Sequence, residues 1–573
     1  MRGWTTAAVA VALGCGGPPT EVDQARPLPS PEALEAHCSE VVGEPRVEKV
    51  ADDIWVAVGY DLANTILIAT PDGNVVVDPG MSPTRARPVR DALLALSPGP
   101  IRAVVYTHSH IDHVGGASVW VEEGTEVWAT AAFTDHFFKQ YGLFFPAESA
   151  RGGRQFGRHV PLDQLRCSGL GRRPDLEAVL DNGTVLPDRT FRESATLEVG
   201  GLALELVEAH GETHDQLFIW IPDRETLLPG DNWYLTFPNL YTIRGSTPRP
   251  VDAWIESLDA MRRKDPAVLV PSHTPPIAGR EAIRTALRDY RDGIQWVRDA
   301  VVRGANAGTD LDVLASEVGL PPHLRDERSL MELYGQIDWS VRGIYTGQLG
   351  WFDGRADRLY PLPPDEAATR TVALMGGPER VLEEARRVRE AGDARWALHL
   401  LALLEDAGSD QTLEMAQTLE DLAITVHNPN GRAYLLESAW ERRHGFEPLG
   451  QPTYQDAFLA ALPLDLVFSV LPARLRPEDA LDVHETVVFR FEDVEETYVV
   501  TVRHGITEVV RGAPLPGTPE PVATVHTNAD TWRRLALDLE KPLSAITSGR
   551  LRVEGNPLAF RRFMGRFDSG PGD

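Results

Sequence analysis

The sequence predicts a multidomain chain of mixed class, α/β plus α: an α/β domain first, then an all-helical region, then a small α+β domain. Three observations predict this. At 573 residues the chain is too long for one hydrophobic core. The spacing of apolar residues changes character twice, near residues 280 and 450. Hydrophobic residues make up 43% and charged residues 24%, which is the balance of globular domains and not of a disordered chain.

The N-terminus reads MRGWTTAAVAVALGCGG. Arg2 is a minimal positive region, Trp4 to Leu13 a short apolar run, and Gly14-Cys15 closes it. The run is too short to span a bilayer. It resembles a bacterial lipoprotein signal, in which the cysteine after a small residue carries lipid; an ordinary secretory signal is the alternative. Residues 1–15 are therefore read as a signal peptide with Cys15 as the lipidated residue, and 16–40 as a Pro-rich polar linker. The expectation is an exported protein, periplasmic or associated with a bacterial outer membrane, touching the membrane only through that anchor. Of the three cysteines, only Cys38 and Cys167 remain after Cys15. They pair or stay free; the sequence leaves both open. Neither belongs to a CxxC pair, so a cysteine zinc site is not expected.

From about residue 45 to 280, strand-like runs alternate with helical ones. VEKVADDIWVAVG, NTILIATPDGNVVVDPG and RAVVYTH are strands with Gly, Asp and Pro between them. TRARPVRDALLALSP is an amphipathic helix. ATLEVGGLALELVEAHG, DQLFIWIPD, ETLLPGD and AVLVPSH supply later strands. Two mixed sheets with helices outside are expected over residues 41–290. From REAIRTALRDYRDGIQWVRDAVVRG to GRAYLLESAWERRHG the chain is nearly all helical, which gives a second domain over 291–450. LHLLALLEDA is apolar enough to need a partner, whereas WFDG (351–354) reads as a packed turn. In 455–573, ETVVFRFED, ETYVVTVRHG and ITEVVRG form an antiparallel meander followed by helices, with Asn528 and Ser544 as candidate caps.

Net charge is −28, so the surface as a whole repels nucleic acid and anionic membranes, and no nucleic-acid partner is expected. An anionic substrate would need a local cluster of positive charge, from metal ions or arginines. THSHIDHVGG (107–116) supplies the first of these. His108, His110, Asp112 and His113 lie within six residues at the end of an apolar strand. Imidazoles with a carboxylate suit Zn²⁺, and also Mn²⁺ or Fe²⁺. Gly115-Gly116 are read as letting the backbone turn into a following helix. Four ligands do not fill two sites. HGETHDQ (210–216), PGD (229–231) and PSH (271–273) hold candidates for the rest.

This order of motifs resembles the metallo-β-lactamase superfamily, whose fold is an αββα sandwich with a binuclear metal site at one edge. Within it the chain resembles the alkyl sulfatases. VGYDLANTILI, GDNWYLTFPNLYTIRG and QIDWSVRGIYTGQLGWFDGRADRLYPLPP carry that likeness, together with the domain order. The resemblance implies a helical dimerisation domain and a sterol-carrier-like C-terminal domain. It implies two divalent metal ions, with Zn²⁺ the favoured choice. His108, His110 and Glu212 would hold the first; Asp112, His113 and His273 the second; Asp231 would bridge. The chain departs from the family twice. AHGETHDQ stands where a PGTEAPAE-like segment is usual, so His214 or His210 stay open as alternatives to Glu212. Asp231 stands where a glutamate bridges.

The activity implied is hydrolysis of alkyl sulfate esters to alcohol and inorganic sulfate by a metal-bridging hydroxide. Two cations acidify water and offset the charge of the ester. Asp112, Asp231, Arg244 and Asn239 are the residues assigned to the chemistry. Arg244 offers a planar fork suited to sulfate, beside Asn239 and, less directly, Thr242; Arg249 is a weaker second anion contact. Tyr241 reads as packing. Residues 150–175 are expected to form a loop over the site, with Arg154 or Arg158 toward substrate, or else a solvated loop. Phe489, Phe491, Tyr498, Val500, Leu537 and Phe563 either line an alkyl groove or make an ordinary core. A homodimer through the helical domain is expected. The rival readings are a hydrolase of another ester, a lactone or a phosphodiester, and a lipid-binding protein with a structural metal.

Overall fold

A computed structural model describes residues 31–568. The signal, Cys15 and most of the linker lie outside the described residues. The end of the linker does not run free. Pro31–His37 forms a helix continued by Cys38–Val42, and Leu34, Cys38 and Val42 are buried against Cys167 and Leu333. Cys38 and Cys167 are joined by a disulfide that spans 129 residues of sequence. Among the described residues no helix is long and apolar enough to cross a membrane.

Two mixed sheets stack face to face, as expected. The first has seven strands in the order 46–51, 54–58, 65–70, 73–77, 101–105, 126–130 and 189–191. Its first four strands form an antiparallel meander, and the rest add in parallel. The second has six strands in the order 277–278, 268–269, 226–228, 217–221, 202–208 and 194–199. Alternate residues point inward from each strand. Ile66, Ile68, Val75, Val77 and Val105 thus meet Leu204, Leu206, Leu217 and Ile219 in one core. The other face of the first sheet, with Leu67, Val76 and Val104, packs on the helix Pro83–Leu94 through Ala86, Val89 and Leu93. Ser82 caps that helix by accepting from the Arg85 backbone N–H. The helix Val251–Lys264 covers the second sheet with Trp254, Leu258 and Met261. The result is a four-layer αββα sandwich.

The boundary expected at 290 falls inside one continuous helix, Arg280–Asn306. Ile283, Leu287, Ile294, Val297 and Val301 bury one face of it in the sandwich core, where Leu314, Val341 and Ile344 join them. The sandwich body therefore reaches through the helix Ile337–Leu349. A separate helical core follows, built by Val372, Val381, Ala385, Leu400, Leu404 and Met415. Within WFDG, Trp351 is 75% exposed, whereas Phe352 and Asp353 are half-buried and Tyr345 donates to the Asp353 carbonyl.

The C-terminal domain is a five-stranded sheet in the order 506–511, 496–503, 484–491, 523–527 and 551–555, with helices on it. Asn528 caps the helix Ala529–Ala536 as expected. Ser544 caps nothing; it lies inside the helix Pro542–Thr547. Phe489, Phe491, Tyr498, Val500 and Phe563 are core, packed with Phe468 and Trp532. Only Leu537 of the six groove candidates reaches a cleft, the one that opens between this domain and the sandwich.

Candidate metal centre

The first sheet ends in a bend that gathers ligands. After the strand Ile101–Val105, Thr107 is fixed by Asp78, which accepts its backbone N–H and its hydroxyl at 2.9 Å each. His108 and His110 then turn inward, and the short helix Ile111–Val114 presents Asp112 and His113. Gly115 and Gly116 have ordinary φ angles, so the turn does not require glycine there. Close approach does. A Cβ on Gly115 would lie 1.9 Å from the Met81 carbonyl oxygen, and one on Gly116 2.4 Å from that of Pro79.

Two groups of ligand atoms result, all buried: His108, His110 and Asp231, and Asp112, His113 and His273. Within each group the atoms lie within 4.8 Å of one another. Asp231 Oδ2 stands between them, 3.8 Å from His108 Nε2, 3.5 Å from His113 Nε2 and 3.1 Å from His273 Nε2. Asp112 Oδ2 is 3.4 Å from His113 Nε2 and 3.5 Å from His273 Nε2. His110 faces the same point with Nδ1, 2.8 Å from His108 Nε2.

Each inward nitrogen is set by what its ring does on the other side. His113 Nδ1 donates to Asp78 Oδ2 at 2.8 Å, which leaves Nε2 free to face the centre. Ser272 Oγ donates to the same carboxylate oxygen at 2.6 Å. His273 Nδ1 donates to the Leu62 carbonyl at 2.9 Å. Asn64 holds the His273 loop by donating from its side chain to the carbonyls of Pro271 and Thr274. Asn232 holds the Glu212 loop, accepting from the Glu212 N–H and donating to the Ala209 carbonyl.

The electrostatics fit divalent cations. Burial would raise Asp112, but His113 and His273 outweigh it and hold the carboxyl down to about 2. Burial likewise opposes the histidines around Asp231, which keep its carboxyl well below the usual range. Burial would lower His113, yet Asp231, Asp112 and Asp78 hold it well above the ordinary imidazole value. Burial and His113 push His108 far down, and burial and His108 do the same to His110. Ionised carboxylates buried together call for compensating positive charge. His113 Nε2 and Asp231 Oδ1 are buried without a hydrogen-bond partner, the state expected of atoms that face an ion.

Of the three alternatives in HGETHDQ, Glu212 is the one that approaches the ligand groups, without belonging to either. Its Oε1 is 3.9 Å from His110 Nδ1, and it is buried. His210 turns away to Glu208, and His214 stacks on His136. Burial raises the Glu212 carboxyl, opposed by Arg249, whose Nη1 is 2.8 Å from Oε1.

The anion contacts also converge here. Arg244 Nη2 is 3.1 Å from His110 Nε2, and its Nη1 donates to Thr242 Oγ1. The Asn239 amide nitrogen and the Arg249 Nε and Nη2 are buried without partners. Arg154 and Arg158 are not here. Arg154 pairs with Glu441, and Arg158 with Glu177. The segment 145–156 is a helix, and Gln155 and Arg151 on it act from behind. Gln155 Oε1 accepts from Thr242 Oγ1 and the Arg244 N–H, and Arg151 donates to the Ile243 carbonyl. Asp78, Asn64, Asn232 and Gln155 were not singled out from the sequence. Only Asp78 carries a local signal, an acid closing the apolar run VVV before Pro-Gly.

Comparison with known proteins agrees with this architecture. The metallo-beta-lactamase superfamily matches residues 58–273, the alkyl sulfatase dimerisation family 311–445 and the alkyl sulfatase C-terminal family 452–573. A linear primary-alkylsulfatase of Pseudomonas sp. (strain ATCC 19151) is 32% identical over 88% of this chain and 98% of its own length. The chain belongs to the alkyl sulfatase family. An (R)-specific secondary-alkylsulfatase of Pseudomonas sp. is 30% identical over 91% of this chain and 80% of its own length. The solved structure of the stereoselective inverting sec-alkylsulfatase Pisa1 from Pseudomonas sp. superposes with a TM-score of 0.86 at 29% identity, covering 94% of this chain and 87% of that one. This alkyl sulfatase family member thus matches its relatives across all three parts of the body.

Proposed function

We propose that the chain is a metal-dependent sulfuric ester hydrolase that cleaves alkyl sulfates to alcohol and inorganic sulfate. One observation carries the reading: two three-ligand groups, one that includes Asp231 and one whose His113 and His273 lie against it, sit beside a buried set of unpartnered anion donors. His108, His110 and Glu212 would hold one divalent ion, Asp112, His113 and His273 a second, with Asp231 between them; Zn²⁺ suits this nitrogen-rich set. When bound, the ions supply Lewis acidity and make water acidic enough to deprotonate near neutral pH. The chain's own residues do the rest. Asn239 Nδ2, Arg244 and Arg249 bind and orient the sulfate oxygens, and burial strengthens each of those contacts. Asp78 and the Leu62 carbonyl keep His113 and His273 in the tautomer that faces inward.

The apolar part of the ester has a place. A cleft of ≈ 320 Å³ lies between sandwich and C-terminal domain. Ile111, between the ligands His110 and Asp112, lines it with Tyr141, Leu143, Phe458, Leu466 and Leu537. An alkyl chain leaving the sulfate past Ile111 would enter an apolar wall on both sides. The assay is release of free sulfate from linear alkyl sulfates of increasing length by the purified protein. Turnover that rises as the chain fills the cleft is expected. No sulfate from any alkyl sulfate, with turnover of a carboxylic ester, lactone or phosphodiester instead, would overturn the assignment.

The protein is further proposed to be an exported, lipid-anchored homodimer. MRGWTTAAVAVALGCGG supports export, and the Cys38–Cys167 disulfide suits an oxidising compartment. Exposed Leu349, Trp351, Tyr360, Leu374 and Leu413 in or beside the matched dimerisation region suit an interface.

A further inference from the structure

One side chain joins the metal centre to the apolar cleft. Tyr141 lies on the wide π turn Lys139–Leu143, between the helices Phe133–Phe138 and Phe145–Phe156. Such turns gather at functional sites. Its ring is held by Phe137, with centroids 5.1 Å apart, and lines the cleft together with Ile111, Phe458 and Leu537. The hydroxyl at the end of the ring accepts the Ile111 N–H at 3.0 Å, and Ile111 stands between the ligands His110 and Asp112. Gln140 Nε2 donates to the same oxygen at 3.2 Å. Burial raises the hydroxyl well above the ordinary phenol value, and the charges of Arg244 and Asp112 both act on it.

We propose that the Tyr141 hydroxyl donates a hydrogen bond to the bridging oxygen of the ester, the atom that joins sulfur to the alkyl carbon. The inference rests on the hydrolase reading above. Three features point to it. The first is position. The sulfate oxygens belong with Asn239, Arg244 and Arg249, and the alkyl chain belongs in the cleft beyond Ile111. The bridging oxygen is the atom that crosses between them, and Tyr141 borders both. The second is donor capacity. A phenol oxygen has two lone pairs and one proton. Ile111 and Gln140 fill the lone pairs, and no acceptor takes the proton among the described residues. A buried hydroxyl proton without an acceptor is costly unless a ligand supplies one. The third is rigidity. Two hydrogen bonds fix the oxygen and Phe137 fixes the ring, so the donor is placed before substrate arrives.

Breaking either bond to this oxygen leaves the bonding pair on it. Cleavage on the sulfur side releases it as an alkoxide, which takes a proton from water to become the alcohol. Cleavage on the carbon side releases it as one oxygen of the departing sulfate. Negative charge grows on it in both cases, so a donor there holds the transition state more tightly than the intact ester. Tyr141 keeps its own proton throughout.

The test uses the full, metal-loaded chain with two compounds: a linear alkyl sulfate, and the alkyl sulfonate of equal length, which has carbon in place of the bridging oxygen. Tyr141→Phe should lower kcat for the sulfate by about 10–100-fold, the worth of a hydrogen bond to a charged group. The inhibition constant of the sulfonate and the metal content should stay unchanged, because the sulfonate offers no oxygen at that point. Arg244→Ala, by contrast, should weaken the sulfonate as well. Tyr141→Leu provides a second test should Tyr141→Phe not fold. Full turnover in Tyr141→Phe, or sulfonate binding or metal content that falls in step with turnover, would overturn the role of Tyr141 alone. No sulfate release by the wild type would overturn the hydrolase reading, and this role with it.

Discussion

Asp78→Asn replaces one oxygen at the back of the metal centre. Asp78 is fully buried and accepts four hydrogen bonds: from the Thr107 N–H, the Thr107 hydroxyl, the Ser272 hydroxyl and His113 Nδ1. Asparagine keeps the shape and tolerates the local φ of 54°. Its oxygen can still serve the Thr107 N–H. Its NH₂ group then faces the other three partners. The two hydroxyls can rotate to accept, but His113 Nδ1–H cannot. The imidazole is left to move its proton to Nε2, the nitrogen that should face the ion. Loss of such an orienting carboxylate weakens metal binding by about 10–100-fold, or roughly 1.4–2.7 kcal/mol. Competition against a chromophoric chelator reads this as one ion weakened and the other less affected. Ser272→Ala, which removes a single rotatable donor, should cost less. Unchanged affinity in a folded Asp78→Asn protein would refute the tautomer argument.

Three further outcomes follow from the geometry. Arg244→Ala should lower kcat/KM for alkyl sulfates by about 10–100-fold, the worth of a charge-assisted hydrogen bond, and lower it much less for carboxylic esters; equal losses would remove its role toward sulfate. Burial raises the Asp215 carboxyl to about 6, opposed by Thr213 and Ser109. Its folded pKa is therefore above its unfolded one, so the protonated form stabilises the fold, and that contribution fades as pH rises through about 4 to 6. Across that window Asp215→Asn should gain about 3 kcal/mol relative to wild type, measured as the change in the denaturation midpoint; a gap that does not move with pH would contradict it. Removing the Cys38–Cys167 bridge, which closes a span of 129 residues, should cost roughly 2–5 kcal/mol and lower Tm. An unchanged Tm for the Cys38→Ser, Cys167→Ser protein would show that the N-terminal helix is held by packing alone.

What was legible in the sequence is what the chain encodes locally. His108, His110, Asp112 and His113 lie on one bend, and their residue types alone announce a metal. Asp231 and His273 announce themselves as ligand types at strand ends. The supports do not. Asn64 acts on a carbonyl 210 residues away, and Gln155 on a backbone N–H 89 residues away. Neither has a sequence signature, because an amide side chain in a loop looks the same wherever it points. Glu212 was separable from His210 and His214 only once the loop's direction was known. The helix Arg280–Asn306 shows the same limit at larger scale. Its apolar stripe is plain, but the sequence does not say whether a sheet or a helical bundle covers it. In the C-terminal domain, alternation revealed the apolar face of strands 484–491 and 496–503. It could not reveal that Phe468 and Trp532 close over that face, or that the open cleft lies at the domain boundary instead.

Metal content measured together with turnover tests the central claim most directly. The purified chain should carry two tightly held divalent ions, lose sulfate release from an alkyl sulfate when a chelator strips them, and recover it when they are returned. Full turnover in a chain stripped of divalent ions would contradict the account.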